Sequence, residues 1–337
     1  MSDARPEAAG AAIPMASFER PSRGTLREGI AAVLGVAATE IVVVDRGDGA
    51  ASTYPTERVT CRLADGRTVS LFCKYTGGYN DLIQDHERYG HRGGVQYEAE
   101  VFRHALQGLP VTVPRLYGTH RSEAPPNLWL ILEWIDEAVP LTWLTRSDGL
   151  AIAGRWLGHF HALTESRLPR LEDEGIVRRY DAAYYLGWAR RTERFSRSWH
   201  AEHPWLATAC RKFEDVLAFL LEGPLTMIHG EFYGKNVVLR GDTLYVFDWE
   251  SAAIGAGEID LASITEAWWR PNEVRAAEDA YRSARWPSGA PPHFAERLAA
   301  SRLYCGFRWL GDNARWTAHS GPLIQRLEPV AAELGLI

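Results

Sequence analysis

The sequence predicts an α+β protein of two unequal lobes: a small antiparallel-sheet lobe with one main helix, then a larger, mostly helical lobe. Between residues 23 and 135, β-rich runs alternate with helical pieces. From Pro140 onward apolar residues recur at helical spacing almost throughout. One β-rich island at 225–248 interrupts those helices with polar loops. At 337 residues the chain is long for one core and comfortable for two lobes sharing a cleft.

Residues 1–22 are rich in Ala, Pro, Ser and Gly, lack the basic start and apolar core of a signal peptide, and read as a flexible N-terminal arm. The small lobe, 23–135, opens with a helix over 25–34 and a strand over 41–45. Strands over 58–63 and 68–75 follow, joined through the turn Ala64-Asp65-Gly66-Arg67 as a hairpin. A Gly-rich stretch (Gly77, Gly78, Gly90, Gly93, Gly94) leads into a helix over 95–107, stopped by Gly108 and Pro110. Two further strands, 113–120 and 127–135, flank Pro125-Pro126.

In the larger lobe, 136–337, helical periodicity covers 148–164, 180–196, 204–222, 258–269, 272–285, 291–311 and 322–334. Short strands at 225–228, 237–239 and 244–247 form the island. Polar loops on a rigid support are where chemistry usually sits.

Net charge of −6 and a pI near 6.0 speak against a nucleic-acid surface. Cys61, Cys73, Cys210 and Cys305 lack CxxC pairing or a nearby histidine at zinc spacing, and read as free thiols in a reducing cytoplasm. No run reaches the roughly 18 apolar residues of a membrane span. The sequence does not set the oligomeric state.

The island holds His229-Gly230-Glu231-Phe232-Tyr233-Gly234-Lys235-Asn236, then Phe247-Asp248-Trp249-Glu250. The turn Arg240-Gly241-Asp242 folds Asn236 back toward Asp248. Phosphoryl transfer needs an acceptor for the substrate hydroxyl proton and oxygen ligands for the magnesium ions on the phosphates. Glu231 suits the first role, and Asn236 and Asp248 the second. Singly, each acid reads as an ordinary loop carboxylate; the ordered set is what points to chemistry.

HGEFYGKN, VFDWE and Ile259-Asp260-Leu261-Ala262 together resemble the catalytic loop, metal-binding run and following helix of the aminoglycoside phosphotransferase and choline kinase-like families. The likeness is strong over about 225–265 and weaker in the small lobe. It implies the two-lobed protein kinase-like fold, ATP (GTP as an alternative) with Mg²⁺, and a small-molecule hydroxyl as acceptor. It also implies that Asp260 receives backbone N–H groups of the catalytic loop, and that His161 and His229 are structural. One departure stands out: Glu231 occupies the place of the family's catalytic aspartate. Glutamate keeps the charge, with an intrinsic pKa of about 4.3 against 3.9, but adds a methylene. A misplacement of about 1 Å can cost on the order of a hundredfold in rate.

An ATP site of this kind also needs a strand lysine held by a helical glutamate. Lys74 ends the 68–75 strand and shares a face with Phe72. On the 95–107 helix, Val95, Phe102, Ala105 and Leu106 lie within about 80° of Glu98, whereas Glu100 faces away. An acid on an apolar face needs a counter-ion, and Lys74 is the candidate. Gly49 and Ser52, in a loop of glycines and hydroxyls, offer backbone N–H groups to phosphates, a weak signal. By the resemblance, main-chain groups of Glu133 and Ile135 would pair with adenine.

No Ala-Pro-Glu segment follows Asp248, and Asp260 comes twelve residues later, too soon for a long protein-docking segment. The acceptor is therefore expected to be a small molecule, such as an aminoglycoside-like antibiotic, an amino sugar or an amino alcohol. Trp268 and Trp269 are expected either to line its pocket or to fill the core, and Glu258 and Asp181 to attract an amino group. Two other readings stay open: a silent, pseudokinase-type nucleotide-binding module, suggested by Glu231, and a metal-dependent hydrolase, which leaves the Lys74–Glu98 pairing without purpose.

Overall fold

The computed structural model describes residues 18–49, 52, 54–76, 91–123, 126–266 and 269–337. Residues 1–17 of the expected arm, Gly77, Gly78, Gly90 and Trp268 lie outside them. Phe18, by contrast, sets its ring 5.3 Å from that of Tyr75, and Arg46 donates to the Pro21 carbonyl, so 18–22 lie against the small lobe.

That lobe is a five-stranded antiparallel sheet in the order β1-β2-β3-β5-β4, formed by β1 (Ile41–Asp48), β2 (Thr56–Leu63), β3 (Thr68–Tyr75), β4 (Leu116–Glu123) and β5 (Pro126–Glu133). Alternation gives the sheet two faces. Leu71, Cys73, Trp129 and Ile131 pack under α1 (Arg23–Leu34) with Leu26 and Ile30. Phe72, Leu130 and Leu132 face the other way and join the main core. The expected strand over 113–120 begins instead at Leu116, because Pro114 has no N–H to give to a ladder. Helix α2 (Gly94–Glu100) continues into a wider π-turn over Val101–Leu106, and the two together bury Glu98 among apolar neighbours.

The larger lobe holds α3 (Gly149–Glu165), α4 (Leu168–Asp173), α5 (Ala182–Phe195), α6 (Pro204–Lys212), α7 (Leu217–Leu221), α8 (Glu258–Thr265), α9 (Pro271–Arg285), α10 (Phe294–Asp312), α11 (Ala314–Thr317) and α12 (Gly321–Glu333). The helix expected over 204–222 is broken by a tighter turn at Phe213–Val216. Helix α3 lies close on α9 because Gly154 and Gly158 carry no side chain: a Cβ there would stand 2.3 Å from the Ala277 carbonyl oxygen and 2.5 Å from that of Tyr281.

The larger lobe also holds short strands: β6 (Val139–Pro140), β7 (Arg178–Arg179), β8 (Leu225–Ile228), β9 (Val237–Arg240), β10 (Thr243–Val246) and β11 (Ala253–Ala256). β9 and β10 form the expected hairpin, with Gly241 at φ 62° in its turn. β8 pairs antiparallel with β11. The catalytic-loop sequence thus runs between β8 and β9, and Asp248 follows β10, so both are fixed by paired strands. All four cysteines are buried and free. Among the described residues no helix is long and apolar enough to cross a membrane.

Candidate active site

Lys74 is 1% exposed, a position a lysine holds only when its charge is matched. Its Nζ donates to Glu98 Oε2 at 2.7 Å and to Asp248 Oδ1 at 2.5 Å, and lies 3.7 Å from Glu250 Oε2. The ring of Tyr54, at the end of the β1–β2 loop, covers it at 5.3 Å. Burial alone would favour the neutral amine, but Asp248, Glu250 and Glu98 hold the pKa well above its ordinary value. The second oxygen of Glu98 accepts from the Trp249 N–H at 3.1 Å. The pairing expected from the helical wheel is therefore present, and it anchors the backbone after Asp248 as well as the lysine.

Asp248 adopts the left-handed conformation, φ 68° and ψ 56°, which L-residues other than Asn and Asp seldom accept. The Phe247 N–H donates to the Asn236 carbonyl at 2.9 Å, so the two proposed metal ligands stand at facing ends of the hairpin. The Asn236 side-chain N–H donates to the Glu231 carbonyl at 3.0 Å, which leaves its oxygen to turn toward a cation.

Asp260 secures the catalytic loop. Its carboxylate accepts the N–H of His229 at 2.6 Å and of Gly230 at 2.9 Å, as the resemblance implied. Burial nevertheless lifts its pKa to about 7 against those two bonds. His161 bridges Asp260 and Tyr281 in the core. His229 sits between the Phe247 carbonyl and the Glu231 N–H, which fixes its Nε2–H tautomer. Both rings have their two nitrogens engaged within the fold. Gly230 has φ +81° and lies where a Cβ would meet the Ser251 carbonyl oxygen at 2.3 Å, so only glycine fits this turn.

Glu231 is only 2% exposed. Its Oε1 accepts from Arg92 at 2.8 Å and lies 3.4 Å from Arg308 Nη1 and 3.3 Å from His91 Nε2. Burial would raise its pKa, but Arg92, the His91 hydrogen bond and Arg308 hold it well below the carboxylate range. Arg308 also donates to the Tyr233 hydroxyl. His91, beside Arg308 and buried, is pushed down to about 4 and stays neutral.

Sequence reasoning missed Arg92, Arg308, His91, Tyr54 and Glu250. Glu250 is fully buried, and neither of its carboxylate oxygens has a hydrogen-bond partner among the described residues. Burial, opposed by Lys74, raises its pKa to about 8. Carboxylate oxygens of Glu231, Asp248 and Glu250 lie within 4.8 Å of one another, a donor set suited to a hard divalent cation. The signal for Glu250 was present, since it follows Asp248 by two residues.

The expectations for Glu258 and Asp181 are corrected. Glu258 faces no open site: it is fully buried and held by Arg297 at 3.1 Å. Asp181 caps α5 by accepting the Tyr184 N–H at 2.8 Å. Trp269 donates its indole N–H to the Ile264 carbonyl at 2.8 Å, a core contact. The Glu133 N–H is already given to the Arg115 carbonyl at 2.8 Å, so only that residue's carbonyl could meet a base. Ile135 is buried two residues beyond β5. Gly49 sits where a Cβ would meet the Thr56 side chain at 2.3 Å, and Thr56 pairs with Lys74 across the sheet. The β1–β2 loop that contains Ser52 thus lies at the lysine's end of the sheet.

Comparison with known proteins agrees with this fold. The profile of the phosphotransferase enzyme family matches residues 73–297. None of the curated proteins matches the sequence. Among solved structures, the chain is similar to the GDP complex of an aminoglycoside 2′-phosphotransferase-IIIa mutant, with 9% identity, 93% of this chain and 98% of that one covered, and a TM-score of 0.63. It is also similar to choline kinase LicA from Streptococcus pneumoniae, with 14% identity, coverage of 93% and 98%, and a TM-score of 0.58. A choline/ethanolamine kinase family protein from Mesorhizobium loti gives 16% identity, coverage of 92% and 96%, and a TM-score of 0.56. These likenesses show the kinase-like fold, and the matched span covers most of the chain. The chain belongs to the phosphotransferase enzyme family.

Proposed function

We propose that this phosphotransferase moves the γ-phosphate of ATP to a hydroxyl of a small molecule. The carrying observation is the convergence of Lys74, Glu98 and Asp248 within hydrogen-bond distance, with Asn236 and Glu231 on the adjoining loop. Lys74 would hold the α- and β-phosphates, Glu98 orients it, and Asn236, Asp248 and Glu250 would hold Mg²⁺. The bound cation supplies charge neutralisation along the triphosphate. Phe72, 5.7 Å from Phe247 and 6.4 Å from Trp134, offers an aromatic wall for the base, beside the Glu133 carbonyl and the Ile135 N–H. GTP would meet the same groups. Glu231 accepts the hydroxyl proton. Four free thiols support the cytoplasm as the place of action.

A second reading, nucleotide binding without turnover, is favoured by the two arginines on Glu231. A screen of hydroxylated acceptors with labelled ATP, run beside ATP hydrolysis and calorimetric binding of Mg·ADP, separates the two. Transfer that falls at least about a hundredfold in Asp248→Ala supports the kinase. Tight Mg·ADP binding with neither transfer nor hydrolysis supports the silent module, and undiminished transfer in Asp248→Ala removes the metal assignment.

A further inference from the structure

Cations and acids alternate through the site. Glu98 meets Lys74; Lys74 meets Asp248 and Glu250; Arg92 reaches Glu231 at 2.8 Å and Glu250 at 3.5 Å; Arg308 closes the outer end. Lys74 contacts the acids proposed to carry the cation, and Arg92 links that group to Glu231, the acid proposed to take the acceptor's proton. A group passing from nucleotide to acceptor would cross between those two cations.

Arg92 is also held in place before any ligand arrives. Its neighbour Gly93 donates its N–H to the Glu250 carbonyl at 2.7 Å, and His91 is 2.9 Å from the Tyr184 hydroxyl. The Arg92 side chain is 14% exposed, and its buried Nε–H has no hydrogen-bond acceptor among the described residues. That Nε lies 3.5 Å from Glu250 Oε1, outside hydrogen-bond geometry but close enough to pair the guanidinium with the acid cluster. The substitution at 231 fits the same picture. An aspartate would fall short by about one C–C bond, roughly 1.5 Å, whereas glutamate brings its carboxylate to the guanidinium.

We propose that Arg92 is a catalytic residue, a cation supplied by the segment before α2 that neutralises charge on the phosphoryl group in flight. The proposal rests on the phosphoryl-transfer reading above. In the step, the acceptor O–H breaks and its proton passes to Glu231 as the oxygen bonds to the γ-phosphorus. The bond from that phosphorus to the β–γ bridging oxygen breaks, and its electron pair leaves with ADP. Arg92 gives up no proton; it acts by a fixed charge, which needs no reorganisation at the moment of transfer. Arginines that act this way are worth about 10³–10⁵ in turnover.

The test is calorimetric binding of Mg·ADP with and without aluminium fluoride, whose planar anion mimics the group in flight. In the intact chain, fluoride is expected to tighten Mg·ADP at least about tenfold. Arg92→Gln should abolish that gain, read as the ratio of Mg·ADP affinities with and without fluoride in the same variant; Arg92→Lys, the safer variant for folding, should lose about half of it on a logarithmic scale. Thermal melting checks that each variant folds. An undiminished gain in both variants overturns the proposal, as does the absence of any gain in the intact chain. Faster ATP hydrolysis in Arg92→Gln than in the intact chain also overturns it, since Arg92 would then be a latch over Glu231. A chain that binds no Mg·ADP fails the phosphoryl-transfer reading itself, and this proposal with it.

Discussion

Replacing Lys74 with methionine tests the central cluster through stability alone. Methionine keeps most of the stem and removes the charge, leaving the buried Glu98 and Glu250 and the partly buried Asp248 around an apolar tip. Breaking a buried ion pair by removing one partner costs about 3–5 kcal/mol. The three acids of the variant can escape only by taking up protons, so their folded pKa values rise above the unfolded ones near 4. Such groups bind more protons folded than unfolded, and stability falls as pH rises through that window. A tenfold change in a carboxylate's proton affinity is worth about 1.4 kcal/mol. Glu250 already sits at about 8 beside the lysine, so the window extends to about that pH. Urea unfolding of the nucleotide-free protein, followed by tryptophan fluorescence, should show Lys74→Met less stable by about 3–5 kcal/mol at pH 8, and by about 1–2 kcal/mol at pH 5. A loss under about 1 kcal/mol at pH 8, or a larger loss at pH 5 than at pH 8, would refute the reasoning.

Two further outcomes follow from the geometry. His91, which faces Arg308, Glu231 and Arg92, has a folded pKa of about 4 against an ordinary 6.5, so the unfolded chain binds the extra proton and stability drains away as pH falls below 6.5. The loss between pH 7 and pH 5 should be smaller in His91→Gln by about 2 kcal/mol, read from urea midpoints; equal losses would contradict it. Gly154→Ala should force α3 from α9 against the Ala277 carbonyl and cost about 1–3 kcal/mol, with Mg·ADP affinity unchanged by calorimetry.

Much of the site was legible because its members obey local rules. The lysine and Phe72 share a face by strand alternation, Glu98 was an acid on an apolar helical stripe, and the loop set came in order around one hairpin. What stayed hidden depended on distance along the chain. Arg92 lies 139 residues from Glu231 and Arg308 lies 77, and an arginine in a polar or helical stretch gives no sign of its partner. Glu258 and Asp181 misled for the converse reason: their charge was visible, but not that Arg297 and a helix N-terminus had already claimed them. The π-turn after Glu100 was equally silent, because a single widened turn hardly alters the apolar pattern of 95–107.

The left-handed Asp248 has a consequence of its own. Three short tethers hold that aspartate in its costly shape: the amine of Lys74, the Asn236 carbonyl on the residue before it, and the Glu98 carboxylate on the residue after it. Each comes from a different part of the chain, so the hairpin, the sheet and the helix must all be docked before this residue can point inward. Readiness for metal is therefore reached only by assembling the whole two-lobed body, and a partly folded chain would have no competent site to offer.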